Sequence, residues 1–202
     1  MNVRFPGAAA LALLMASGPA IAHPHVFIDY AVTVGIAHGL PDQLRMVWTY
    51  DDMYSDLVRH DLVKGDGTTL TAAEKQAIRQ RTFDDLAPAH YFTEVHWNGQ
   101  SLAVGTAAGF DVRFTDGRAV YSFSLPLKAE VSSASTGSGT LDIGVFDPEY
   151  YVQFTYDAEK PPRTMGDEGG RVRCTVTPST RTARMFGPVD SDLVVCRDGN
   201  DQ

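Results

Sequence analysis

Cysteine is scarce: the chain of 202 residues has two, Cys174 and Cys196, and no C-x-x-C pair. That removes a thioredoxin-type redox motif and leaves two isolated thiols as a poor metal site. Basic residues are in deficit, with 17 Lys and Arg against 25 Asp and Glu and a net charge of −8. Such a chain is a poor partner for nucleic acid or an anionic membrane surface, and suits cations better. After residue 22 no apolar run is long enough to cross a bilayer, so no transmembrane segment is expected in the exported chain. G-x-S-x-G, H-E-x-x-H and a phosphate-cradling glycine loop are all missing. This weakens an enzymatic reading without closing it, because catalytic groups need not be neighbours in sequence.

What is present begins with an export signal. Arg4 supplies a short positive region, "AAALALLMA" (8–16) an apolar one, Gly18 and Pro19 a break, and Ala20-Ile21-Ala22 the small-x-small cleavage pattern. The expectation is a signal peptide over 1–22 and a periplasmic domain over 23–202 that starts at His23. In that oxidising compartment Cys174 and Cys196 are expected to form a disulfide.

Val26, Ile28, Tyr30, Val32, Val34 and Ile36 alternate along one strand, and Leu44, Met46, Trp48 and Tyr50 along a second. "HGLPDQ" (38–43) reads as the turn between them, giving a β-hairpin. The period then becomes helical at Met53, Tyr54, Leu57, Val58 and Leu62, with Asp51 or Asp52 as cap. A second helix opens on the capping box Thr71 and Glu74 and is expected to run to about Leu86, before Pro88. Strands return across the type I′ turn signals Asn98-Gly99 and Asp116-Gly117. They continue in "TLDIGVF", "YYVQFTY", "RVRCTVT" and "DLVVC". The class is α+β: sandwich-like antiparallel sheets with one helical hairpin inserted after the first β-hairpin. Two sub-domains, 23–131 and 140–202, are an open alternative.

"HPHVFID" (23–29), "WTYDDMYS" (48–55), "GDGTTLTAAE" (65–74) and "FDPEYYVQF" (146–154) occur in this order. In this the chain resembles the uncharacterised periplasmic proteins labelled "ABC-type transport system, periplasmic component", over nearly all of 23–202. Members of that group tend to be encoded beside nickel/cobalt-type transporters. The resemblance implies a periplasmic partner of a membrane metal transporter, and no demonstrated activity.

As a mature N-terminus, His23 would offer an amine and an imidazole on one residue. His25, two positions on in a strand, points the same way about 6.5–7 Å off. Asp29 lies on the same face, as a third ligand or as a group orienting the others. Pro24 has no amide hydrogen, so the square-planar copper/nickel clip with histidine third cannot form. Nitrogen donors of this kind favour nickel, cobalt, zinc or copper. The plain alternative is a frayed terminus whose histidines meet only water.

A weaker set is Asp52, Asp56 and His60, which share one helix face at four-residue spacing, although a solvated face has the same pattern. His90 and His96 are remote candidates. "KGDGTTLTAAE" resembles the end of a calcium-binding EF-hand loop. With Asp66 and Gly67 in frame, Leu62 and Lys64 fall where oxygen ligands belong, so the loop reads as scaffold. "FDPEYY" reads as structural, with Asp147, Glu149, Tyr150 and Tyr151 as candidate docking residues.

The leading expectation is a periplasmic accessory protein that binds a transition-metal ion and works with a membrane metal transporter. A non-metal module that docks a transporter is the first alternative. A copper redox enzyme built on an amino-terminal histidine is the second.

Overall fold

The computed structural model describes residues 24–65, 67, 69–128, 139–167 and 170–198. The stretch over 1–22 expected to be an export signal, His23 and Asp66 lie outside the described residues. Strands β1 (Val26–Ala37) and β2 (Leu40–Tyr50) come first, followed by helices α1 (Asp52–Leu62) and α2 (Ala72–Thr82). A 3-10 segment, Asp84–Phe92, leads to β3 (Thr93–Trp97), β4 (Gln100–Val104), β5 (Ala108–Thr115) and β6 (Arg118–Lys128). Then come β7 (Thr140–Val145), β8 (Val152–Tyr156), β9 (Arg163–Met165), β10 (Val172–Ala183) and β11 (Gly187–Asp198). The fold is α+β and sheet-rich.

The strands follow the order β10-β11-β7-β3-β4-β6-β2-β1-β8, with β5 on β6 and β9 on β1. The pairings are antiparallel except for β1 with β8 and with β9. The far ends of this order approach each other. Tyr156 N donates to Asp192 Oδ2 at 2.8 Å, and the Tyr30 hydroxyl to the Asp192 carbonyl at 3.4 Å. The sheet thus folds over and nearly closes. One core fills it, with Tyr30, Trp48, Tyr121, Ile143, Phe154 and Val194 contributed from both halves of the order. The two candidate sub-domains share pairings, because β7 lies between β11 and β3 and β8 lies on β1.

The local signals act as expected. Asn98 and Asp116 take φ near 50° before Gly99 and Gly117, as two-residue type I′ turns require. The first hairpin is tighter than its composition suggests. Its turn is His38-Gly39, and Pro41 already lies in β2 beside a register shift at Gly35/Ile36. Cys174 and Cys196 face each other across β10 and β11 and are disulfide-bonded. The bond suits an oxidising compartment, and closing a loop of this size stabilises by about 3 kcal/mol in the chain-entropy account. Pro178 is tolerated within β10 because β10 is an edge strand. Among the described residues no helix is long and apolar enough to cross a membrane.

The helical hairpin closes on Glu74. Its carboxylate accepts from Lys64 N at 2.6 Å, Thr71 N at 2.8 Å and Thr71 Oγ1 at 2.7 Å. These bonds, the Lys64 amide first, hold the Glu74 carboxyl below its ordinary 4.5. A carboxyl depressed in the folded state stabilises above its unfolded value, and loses that contribution as pH falls through the folded value. Acid unfolding followed by circular dichroism should therefore be steeper below about pH 4.5 in wild type than in Glu74→Gln. Identical acid limbs would refute this role for the carboxylate.

Candidate functional site

Alternation along β1 turns Val26 and Ile28 inward and leaves Phe27 exposed, with His25 exposed at its start. The amides of His25 and Val26 reach the Tyr151 carbonyl at 3.0 and 3.3 Å, which opens the parallel pairing with β8. Asp51 joins this strand to α1. Its Oδ2 accepts from Phe27 N at 2.7 Å, and its Oδ1 caps the helix by accepting from Tyr54 N at 2.8 Å. One turn on, buried Ser55 donates to the Asp51 carbonyl at 2.6 Å and accepts from Ala119 N of β6 at 2.8 Å. The start of α1 is thereby pinned beside the start of β1.

The result is a groove of about 630 Å³. His25 comes from just ahead of β1, Val26 from β1, Tyr151 from the approach to β8, and Met53, Tyr54, Asp56, Leu57 and His60 from α1. Two sets that the sequence presents separately, His25 and the Asp56–His60 helix face, thus line one surface. The His25 and Tyr151 rings lie 5.0 Å apart. His60 Nδ1 is 2.8 Å from Asp61 Oδ1 rather than engaged by Asp56, so Nε2 is the nitrogen that could take a ligand. Burial raises the pKa of the Tyr54 hydroxyl.

The other candidates are dispersed. Asp29 accepts from Arg118 Nη2 at 2.9 Å and lines a different cleft. Asp52 is exposed at the first turn of α1, 4.0 Å from Arg118 Nε. His96 lies in β3 opposite Asp142 and Ser101, away from the groove. Among the described residues no three His, Cys, Asp or Glu side chains form a group that could hold a metal ion.

The four "FDPEYY" residues divide in role. Asp147 is buried and its carboxylate accepts three backbone amides, those of Glu149, Tyr151 and Val152. Glu149 pairs with Arg184 at 2.7 Å. Tyr150 packs on Phe186, with ring centroids 5.8 Å apart. Only Tyr151 reaches the groove.

Met53 and Leu57 are apolar groove residues that share the helical period of α1 with the buried row. They are 69% and 56% exposed. The available signal was width: Met53–Leu57 and Tyr54–Val58–Leu62 form two adjacent rows at four-residue spacing, and a helix lying on a sheet edge covers one of them.

A profile for a family described as a protein of unknown function, DUF1007, matches residues 8–185. The chain belongs to this family. A Haemophilus influenzae relative of the DUF1007 chain, described as an uncharacterized protein, is 27% identical over 138 residues. The match covers 67% of this chain and 64% of the relative, so the chain spans less than two thirds of that protein.

Proposed function

We propose that this DUF1007 protein is a periplasmic accessory protein that binds a transition-metal ion, nickel, cobalt, zinc or copper, as cargo for a membrane metal transporter. The observation that carries the reading is that His25, Asp56 and His60 line one groove, although they do not come together as a three-ligand group among the described residues. Imidazole and carboxylate are the donor types such ions take. Asp61 on His60 Nδ1 reproduces the carboxylate–histidine arrangement that orients metal-ligating imidazoles. The described side chains fit an ion only in part, and cleavage before His23 would add an amine and a third imidazole immediately ahead of Pro24. The His60 side chain is 88% exposed, which favours exchange over permanent retention.

A second reading, a module that docks a transporter without metal, rests on the exposed Met53, Leu57 and Tyr151 along the same groove. Calorimetric titration of each ion into exported protein, its N-terminus defined by intact mass, separates the two. The metal reading expects binding that weakens about tenfold or more in His25→Ala, and less in His60→Ala. Affinity equal to that of the His25→Ala/His60→Ala double variant for every ion transfers the assignment to the docking module.

A further inference from the structure

On the outer face of the sheet, away from the groove, four strands present one row of side chains. Register places Arg163 of β9 opposite Thr33 of β1, Thr33 opposite Arg45 of β2, and Arg45 opposite Ser124 of β6. Neighbouring strands are about 4.8 Å apart, so the two arginine backbones stand about 10 Å apart with a threonine between them.

This row borders a cleft of about 560 Å³. Thr33, Ser122 and Ser124 supply hydroxyls, and Ala31 and Val47 supply apolar contact. The segment carrying Glu159, Lys160 and Pro161 also lines it, as does Gly109, at the β5 register shift between Ala108 and Asp111. Bulges of this kind recur where a strand shapes a site. The volume falls within the range of small-molecule sites.

The charge is the unusual feature. Arg45, Lys160 and Arg163 face one carboxylate, Glu159, in a chain whose carboxylates outnumber its cations. Elsewhere Arg118 is taken by Asp29, Arg79 by Asp84, Arg181 by Glu94 and Arg184 by Glu149, while Arg81, Arg113, Arg173 and Arg197 also lack an ion-pair partner among the described residues but do not line this cleft. Lys160 has Asp157 at 2.6 Å. Arg45 and Arg163 have no ion-pair partner among the described residues. Two guanidiniums on one cleft make a positive surface that an anion bound between them would complement.

We infer that this cleft binds a small multivalent anion. The Arg45 and Arg163 guanidiniums would grip its acidic groups bidentately, and the Thr33, Ser122 and Ser124 hydroxyls would hydrogen-bond its body. Polycarboxylates and phosphates share the required chemistry. The inference does not depend on the metal reading, because none of these residues lines the groove.

Titration of the full exported protein with citrate and, separately, inorganic phosphate tests it. Binding of either probe that weakens with added salt supports the cleft if it falls about tenfold or more in Arg45→Ala and in Arg163→Ala. Arg173→Ala, an exposed arginine on β10, should leave it unchanged. Tighter citrate assigns carboxylate groups to the ligand, and tighter phosphate assigns phosphate. Both variants should keep the wild-type melting temperature, since both arginines are exposed. No binding of either probe at low salt, or an equal loss in Arg173→Ala, overturns the inference.

Discussion

Phe83→Ala should destabilise the protein by about 3–5 kcal/mol, the range for emptying a buried aromatic site. Phe83 is 1% exposed and closes α2. Its ring lies 4.5 Å from that of Phe110, 4.7 Å from Phe123, 5.0 Å from Tyr91 and 6.3 Å from Trp48. The ring thus fastens the helical hairpin to the inner face of β2, β5 and β6. Truncation forfeits the transfer of the ring from water and leaves a space that rigid aromatic neighbours cannot fill. Urea unfolding measures the loss as a lower midpoint at unchanged slope. Phe27→Ala is the control: Phe27 is 46% exposed, and surface substitutions generally stay within about 0.5 kcal/mol. Similar losses in the two variants would contradict the assigned burial.

Asp147→Ala should cost about 3 kcal/mol and, if the proposed metal reading holds, weaken ion affinity as well, although Asp147 does not line the groove. The Asp147 carboxylate is 4% exposed and accepts from Glu149 N at 3.0 Å, Tyr151 N at 2.9 Å and Val152 N at 3.0 Å. Alanine leaves three amides without that acceptor, in a loop that also holds Tyr150 at a φ of 56°. Hydrogen bonds to a charged group are worth about 1.5–3 kcal/mol each, and water recovers part of the loss. The coupling to the groove runs through Tyr151, whose carbonyl takes the His25 and Val26 amides and whose ring packs on His25. Asp147→Asn, which keeps one carbonyl oxygen, should fall between wild type and Asp147→Ala in both melting temperature and ion affinity. A melting temperature unchanged in Asp147→Ala would exclude the anchoring role. Affinity unchanged despite a lower melting temperature would exclude the coupling.

Legibility followed distance along the chain. Thr71 and Glu74 form their capping box as read, because both partners lie within one helical turn. The helix they open ends at Thr82 rather than near Leu86. There the burial of Phe83 among rings from β2, β5 and β6 diverts the backbone into the 3-10 segment, which includes Pro88. Strands β10 and β11 extend past the apolar stretches that mark them, since β10 is an edge strand and the two pair through their backbones, which needs no apolar alternation. The parallel partners of β1 come from more than a hundred residues away, and no turn signal announces them.

The same division runs through the candidate site. Composition and local pattern were enough to state an α+β chain, the paired cysteines, the hairpin turns, and histidines and carboxylates worth weighing. Those properties depend on backbone geometry and on neighbours a few residues apart. That His25 and the His60 face of α1 line one groove, that Arg118 occupies Asp29, and that Arg45 and Arg163 share a row was decided by the tertiary structure. Each of these follows from strand register and from the Asp51 and Ser55 anchors, which join segments through contacts that no local preference encodes.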